Sequence, residues 1–192
     1  MKKNDFYIVS IVIYNLAEFS EYEIPERIST IHERLVSTGL AADWIPLSAS
    51  PASRDDLHRA HSNTYCDEIF NLGNGPDELS YRLGNFTNGY TLNNILLSAG
   101  AALSATRAVC TGEVSSAFVN ARPPGHHAWM SGNSPEGYCF VNNVALAALY
   151  AKEQLGMRKV LILDWDVHFG NGTHDIFAES DEVMVISAHR YD

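Results

Sequence analysis

The sequence predicts an α/β protein, a three-layer sandwich in which helices cover both faces of a mostly parallel sheet. Residues 7–14 (YIVSIVIY) are largely β-branched and apolar on both parities, which is typical of a strand buried on both faces. From residue 114 onwards, strand-like and helix-like stretches alternate. An alternation of strand, helix and strand is the pattern of a parallel sheet with crossover helices.

The first half of the chain supplies mainly helices. A helix is expected from Pro25 to about residue 37, because proline favours a first helical turn and Gly39 follows the end. Residues 53–56 (SRDD) form a capping signal for a second, short helix. Residues 92–109 are rich in Ala and Leu at helical spacing and predict a longer helix.

The second half supplies the clearest alternation. It predicts strands over residues 114–119, 160–163 and 183–187, and helices over residues 143–155 and 173–177. Between the first of these strands and the first helix lies a Pro/Gly-rich loop, residues 122–137. A loop of this length favours a functional role over a merely connecting one.

Composition excludes several classes of function. The 192 residues carry a net charge of -10 without a basic stripe, so direct binding to nucleic acid is not expected. No apolar run approaches the roughly 20 residues of a membrane helix, so no membrane partner is expected. The three cysteines form no CxxC pair, which favours reduced thiols and a cytoplasmic location. The acidic balance mildly favours cationic substrates.

The densest chemical signal is the run VLILDWDVH at residues 160–168. Its apolar strand leads into Asp164, Asp166 and His168, and open α/β sheets bind ligands at this carboxyl end. Side chains two residues apart on an extended chain share a face, so Asp166 and His168 can hold one ion together. Their oxygen and nitrogen donors suit Zn²⁺, and Asp164 could support a neighbouring ligand or a second cation. A strand end capped by polar side chains is the alternative interpretation.

A second signal is the run RPPGHH at residues 122–127. Two prolines and a glycine stiffen a turn, which can direct His126 and His127 into one pocket although they are adjacent. Because histidine titrates near neutrality, one can act as acid and base while the other stabilises charge. A third, weaker signal is Gly137 followed by Tyr138, where glycine permits close backbone approach to a ligand and the aromatic ring could wall a slot.

Together these runs resemble the histone deacetylase family, including its bacterial amidohydrolase members. The matching stretches are RPPGHHA at residues 122–128, GYCFVNNVALAA at 137–148 and DWDVHFGNGT at 164–173. Weaker matches are PERI at 25–28 and LHRAHSNTY at 57–65. The resemblance implies the arginase-deacetylase fold. It also implies zinc-dependent hydrolysis of an acetylated lysine or polyamine to acetate and a free amine.

The resemblance assigns a role to each matching residue. Asp166 and His168 correspond to two of the family's three zinc ligands. His127 corresponds to the general acid and base, and His126 to the partner that stabilises charge. Asp164 corresponds to the carboxylate that lies behind His126 and orients it.

Two further assignments rest on the same resemblance. A possible potassium site near the zinc is implied at Asp164, Asp166, His168 and Ser187. Gly137 and Tyr138 correspond to a backbone acceptor and an aromatic wall of the acyl channel.

The sequence also departs from the family pattern. Phe169 stands where a second histidine is usual, Glu21 where a histidine often precedes the PERI-like run, and Asn171 where some members have an aspartate. The family's third zinc ligand, an aspartate, and its catalytic tyrosine have no counterpart in residues 1–192. We therefore expect these residues to form one incomplete domain that is inactive, or nearly so, by itself.

Two other interpretations remain beside an active deacetylase. The chain can be an inactive half-fold that acts as an interaction module, with possible self-association through an exposed sheet edge at residues 183–187. An arginase-type site with two metals is disfavoured, because that family expects an aspartate two positions after His168, where Gly170 stands.

Overall fold

The computed structural model describes residues 6–10, 23–74, 80–83, 85–132 and 136–191. The strands are β1 (Phe6–Ser10), β2 (Ile45–Pro46), β3 (Ser80–Arg82), β4 (Asn85–Thr87), β5 (Ser116–Asn120), β6 (Val160–Asp164) and β7 (Val183–Ser187). The α-helices are α1 (Glu26–Ser37), α2 (Arg54–Leu57), α3 (Asn63–Phe70), α4 (Thr91–Cys110), α5 (Asn143–Glu153) and α6 (Asn171–Phe177), with a 3-10 helix at Asn71–Asn74.

The helices start where their local signals predict. Pro25 occupies the N-cap of α1, and Gly39 follows its end with φ +74°. At α2 the expected capping box is present, since Ser53 and Asp56 each accept a hydrogen bond from the other's backbone N–H. Helices α4 and α5 are confirmed to within two residues at each end. Side-chain caps at the starts of α2, α3 and α5 therefore account for half of the described α-helix starts.

The strands confirm a mostly parallel arrangement but not one continuous ladder. Strand β1 pairs in parallel with both β2 and β5, and β6 pairs in parallel with β7. Strands β3 and β4 form a separate antiparallel hairpin. Among the described strands, no hydrogen-bonded ladder joins β5 to β6, so the two parallel groups are connected through α5.

Two strand boundaries differ from the prediction. Strand β5 begins at Ser116 rather than at Val114, because the Val114 N–H donates to the carbonyl of Ala108 at the end of α4. This bond holds Val114 in the helix-terminating turn. Strand β1 is present at Phe6–Ser10; residues 11–14 of the predicted strand, and Glu21, lie outside the described residues.

The core lies between the helices and one face of the strands. Its fully buried side chains include Tyr65 and Ile69 of α3, Ile95 of α4 and Leu146 of α5, and they pack with Ile162 of β6. In the described part of the chain, no helix has both the length and the hydrophobicity to cross a membrane.

The opposite face of the β6–β7 pair is open. Leu161 is 61% exposed and lies opposite Met184, which is 63% exposed; Leu163 and Ile186 are the next exposed pair. A cleft of about 740 Å³ runs from β6 to β5 along α4 and α5, with mostly apolar walls. Contiguous exposed apolar surface of this kind promotes association.

We therefore expect the 192-residue chain to self-associate through the β6–β7 face. The double substitution Leu161→Lys and Met184→Lys should weaken association at least about tenfold, because each side chain contributes roughly 1.5–3 kcal/mol when fully buried. Light scattering and sedimentation over a concentration series measure the change. Val36→Lys on α1, where Val36 is 58% exposed, is the matched control. A wild-type chain that stays monomeric at all concentrations contradicts the prediction.

Candidate active site

A cavity of about 910 Å³ gathers most of the residues that the sequence singled out, although Asp164 and Ser187 do not line it. It is lined by segments that follow β5 and β6, together with residues next to α1. The residues that line the cavity include Glu23, Arg27, His126, His127, Glu136, Gly137, Tyr138, Asp166, His168, Phe169 and Asn171. The two histidines and the Asp-Val-His run, which are 40 residues apart in sequence, thus share one cavity.

The His126 ring is hydrogen-bonded to Asp164. Its Nδ1 lies 2.8 Å from Asp164 Oδ2, and the other carboxylate oxygen accepts the backbone N–H of Asp166 at 3.1 Å. A carboxylate accepts hydrogen bonds, so Nδ1 carries the proton. His126 Nε2 then lies towards the cavity, 3.7 Å from Asp166 Oδ1.

His127 lies beside His126 with a different partner. The two ring centroids are 4.1 Å apart, and the planes are inclined by 49°. His127 Nδ1 lies 2.7 Å from the side-chain oxygen Oδ1 of Asn171 at the start of α6. Both rings are mostly buried, with 16% of the His126 side chain and 13% of the His127 side chain exposed. The stiff loop therefore directs both histidines into the same space.

Asp166 and His168 converge rather than diverge. Asp166 Oδ1 accepts the His168 backbone N–H at 2.8 Å and lies 2.9 Å from His168 Nδ1. Desolvation opposes ionisation of Asp166, but these hydrogen bonds outweigh it and lower the pKa of the carboxyl below its usual value.

The donors of Asp166 and His168 fit part of a zinc site. One oxygen and one imidazole nitrogen at this separation match the chemistry of zinc ligands. Over the described residues, no three His, Cys, Asp or Glu side chains lie together as a metal-binding group. Among the described residues, Asp166 and His168 are therefore a pair of candidate donors and not a complete metal site.

Gly137 and Tyr138 form a tight turn against His127. Both have positive φ, +57° and +64°. A Cβ on Gly137 would lie 2.2 Å from His127 Cδ2, so only glycine fits there. The Tyr138 side chain is 39% exposed and lines the cavity. Phe169 also lines it and packs against the rings of His174 and His189.

Ser187 lies next to Asp164, but its hydroxyl contacts His189. The two residues are register partners in the β6–β7 ladder. Ser187 Oγ lies 2.8 Å from His189 Nδ1, and the Ala188 N–H donates to the Asp164 carbonyl at 2.8 Å. Two of the four residues predicted to bind potassium, Asp164 and Ser187, thus lie on adjacent strand ends.

The sequence did not predict several residues of the site. Glu136 accepts a hydrogen bond from the Asn171 amide, and Glu23 forms ion pairs with Arg27 and the buried Arg122. The Glu23–Arg122 pair anchors the start of the histidine loop, since 2% of the Arg122 side chain and 5% of that of Glu23 are exposed. An acidic residue directly before Gly137 was the available signal for Glu136.

His61 supports the site from behind, and sequence analysis gave it no role. Its Nδ1 donates to the Trp129 carbonyl at 2.9 Å, and its Nε2 accepts the backbone N–H of Asn142 at 3.0 Å. Asn142 in turn caps α5 and donates to the Ala128 carbonyl and to Thr173. Burial lowers the pKa of His61 to about 4, so the ring stays neutral and keeps its acceptor nitrogen.

A family model and curated relatives match most of this chain. The model described as histone deacetylase domain matches residues 21–192. The chain is similar to polyamine deacetylase HDAC10 of Homo sapiens, at 37% identity over 177 residues, which are 90% of this chain and 26% of that protein. It is also similar to the histone deacetylase-like amidohydrolase of Pseudomonas aeruginosa, at 38% identity over 169 residues, which are 88% of this chain and 43% of that protein.

Similarity extends to three dimensions. The crystal structure of the HDA15 HD domain superposes with a TM-score of 0.87 at 30% sequence identity, over 98% of this chain and 54% of that one. This match confirms the α/β arginase-deacetylase fold expected from the motifs. The chain spans about a quarter of the length of the human relative and less than half of the length of the bacterial one.

We expect His61 to make the fold sensitive to acid. Between pH 6.5, the ordinary histidine pKa, and about pH 4, the unfolded chain binds a proton at His61 that the folded chain excludes. Stability therefore falls as the pH falls through this window, by about 3 kcal/mol at most. In His61→Gln this contribution disappears, although stability at pH 7 is lower because the hydrogen bonds change. Denaturant unfolding from pH 4 to 8 measures both. An unchanged slope in His61→Gln contradicts the assignment, and exposed His174→Ala is the control.

Proposed function

Because this chain belongs to the histone deacetylase family, we propose that it carries the proton-transfer groups of a zinc-dependent deacetylase. The reaction is hydrolysis of an acetylated amine, either acetyl-lysine or an acetylated polyamine, to acetate and a free amine. One observation carries the proposal: His126, His127, Asp166 and His168 face one cavity, with both histidine Nδ1 atoms already hydrogen-bonded.

Asp166 and His168 would hold the zinc ion. When bound, zinc supplies Lewis-acid polarisation of the amide carbonyl and lowers the pKa of a bound water towards about 7. The convergence of the Asp166 and His168 side chains supports this assignment. By the same resemblance, we assign a potassium site to Asp164, Asp166, His168 and Ser187, which is supported by the pairing of Asp164 with Ser187.

His127 moves the proton. With Nδ1 hydrogen-bonded to Asn171, Nε2 is the basic atom that accepts a proton from the attacking water. As the C–N bond breaks, His127 gives that proton to the departing nitrogen, so the products are acetate and the amine. His126, hydrogen-bonded to Asp164, is the better placed of the two to carry positive charge, because a carboxylate stabilises imidazolium.

The charge around the cavity favours a cationic substrate. Glu136 and Asp166 have half-exposed carboxylates at the lining, and the whole chain carries -10. An acidic surface raises the local concentration of cations. Acetylated lysine peptides and acetylated polyamines both meet this requirement.

The buried cysteines Cys66 and Cys139 supply no competing nucleophile. Desolvation raises the pKa of Cys66 to about 11 and that of Cys139 to about 12, so neither thiol is reactive at neutral pH. Cys66, Cys110 and Cys139 are all free, which supports the proposed cytoplasmic location.

A chimera tests the function. Residues 21–192 replace the matching segment of the Pseudomonas aeruginosa amidohydrolase, and acetate release is measured from an acetyl-lysine peptide and from acetylputrescine. We expect turnover of at least one substrate. His127→Ala should lower kcat by about 10²- to 10⁴-fold, the usual contribution of general acid–base catalysis.

The control for the chimera is His174→Ala, which removes an exposed histidine outside the cavity lining. Its kcat should stay within about twofold of the parent chimera, since exposed substitutions have small effects. A folded chimera that His127→Ala leaves fully active contradicts the proposed role of His127.

Zinc binding tests the ligand assignment separately. The 192-residue chain should bind Zn²⁺ weakly, because its described residues offer two ligands. His168→Ala should weaken binding about tenfold or more, whereas His174→Ala should not. Calorimetric titration measures both.

Without the chimera's second half, acetate release by the chain should be at least about 100-fold slower, because removing catalytic groups costs several orders of magnitude. Rapid turnover of the isolated chain contradicts the expected inactivity.

A further inference from the structure

We propose that Glu136 is a positioning residue that selects the tautomer of His127 by fixing the amide of Asn171; this role rests on the proposed function of His127. The side-chain nitrogen Nδ2 of Asn171 donates to Glu136 Oε1. The Asn171 oxygen Oδ1 lies 2.7 Å from His127 Nδ1. Two side chains from the loop of residues 122–137 and one from the start of α6 therefore form one hydrogen-bonded chain that ends in the cavity.

The direction of this chain follows from its outer end. A carboxylate oxygen only accepts hydrogen bonds, whereas the two ends of an asparagine amide have nearly the same shape and opposite roles. The NH₂ end of the Asn171 amide must therefore point to Glu136. The Gly172 N–H, which only donates, lies 3.0 Å from Oδ1 and favours the same orientation.

The tautomer of His127 is then determined. Since Oδ1 accepts, His127 Nδ1 must donate, and the lone pair of the neutral ring lies on Nε2. The opposite amide orientation would place a donor against Nδ1 and move the proton to Nε2, where it would block proton uptake. An asparagine needs a hydrogen-bond partner such as Glu136 to fix its orientation, because its amide has a donor end and an acceptor end. An aspartate at position 171 would not need one, because both of its oxygens accept.

Glu136 is suited to this task by its position. It directly precedes Gly137, whose backbone packs on the His127 ring, and its Oε1 lies 3.9 Å from His127 Nδ1. The tight turn at 137 and 138 thus fixes the carboxylate and the ring together. Half of the Glu136 side chain is exposed, so a substitution there leaves the core unchanged.

The experiment reads the tautomer without turnover. Long-range ¹H–¹⁵N spectra of the ¹⁵N-histidine-labelled 192-residue chain, at a pH at which the imidazoles are neutral, show which His127 nitrogen carries the proton. Magic-angle spinning of sedimented protein gives the same signals from an associated chain. His127→Gln identifies the His127 signal. The wild-type chain should show the Nδ1–H form.

Glu136→Gln replaces the acceptor with an amide that can donate or accept. We expect the Nε2–H population to rise about fivefold, the effect of losing one partly exposed charge-assisted hydrogen bond. Glu153→Gln, an isosteric change at another exposed glutamate, should leave the His127 signals unchanged. Asn171→Asp should restore the Nδ1–H form in the Glu136→Gln background, because a carboxylate has no donor end.

This pattern separates positioning from other roles. An unchanged His127 tautomer in Glu136→Gln overturns the proposal. A tautomer shift that Asn171→Asp fails to reverse also overturns it, because a general disturbance of the loop would shift the tautomer with either Asn or Asp at position 171. In the chimera, Glu136→Gln should lower kcat by the same factor by which the Nδ1–H population of His127 falls, with a smaller change in KM. A KM increase confined to cationic substrates, with no tautomer change, would instead assign Glu136 to substrate recognition. A chimera without deacetylase activity would contradict the proposed function while leaving the tautomer result intact.

Discussion

The close approach of glycine backbone to two adjacent histidine rings is the constraint on which the rest of the site depends. Added Cβ atoms would lie 2.2 Å from His127 Cδ2 at Gly137 and 2.4 Å from Asp164 Oδ2 at Gly170. Both distances are shorter than any packed side chain tolerates. The rings therefore sit between two glycine segments. The Nδ1 of His126 reaches Asp164 at the end of β6, and the Nδ1 of His127 reaches Asn171, which directly follows Gly170.

A buried polar network holds the loop that carries these rings. Asn142 is fully buried and bonds to Ala128, Ala145 and Thr173, while the Thr173 N–H donates to the His126 carbonyl at 3.0 Å. Buried polar groups are costly unless paired, so each bond fixes the orientation of the next. The described residues of the loop 122–137 form no regular secondary structure, and this network provides the rigidity that a helix or strand would otherwise supply.

The sequence predicts those parts of the molecule that local chemistry controls. The helix caps at Pro25 and Ser53 and the strand that runs into Asp164 follow from short runs of residues, whereas the expected contact of Asp164 with His126 came from the family resemblance. The catalytic and ligand roles of the site residues stay predictions, because geometry alone does not measure them.

The missed features depend on partners distant in sequence. Helix α3 (NTYCDEIF) has few strong helix formers and is stabilised by burial of Tyr65, Cys66 and Ile69. Strand β2 has only two register pairs with β1, too few for a periodic signal. His61 and Glu136 acquire their roles from Trp129, Asn142 and Asn171, which no spacing rule connects to them.

The division of the sheet explains why side-chain contacts matter so much in this chain. His126 and His127 follow β5, whereas Asp164, Asp166 and His168 end or follow β6, and these strands share no ladder among the described residues. Hydrogen bonds of the sheet therefore do not set the distance between the two halves of the site. That distance rests on the packing of α4 against β5 and α5 and of α5 against β6. It also rests on the contacts of His126 with Asp164 and of His127 with Asn171. The same two contacts thus orient the imidazoles and join the two parallel strand groups, so the chemistry and the local stability of the site rest on one set of hydrogen bonds.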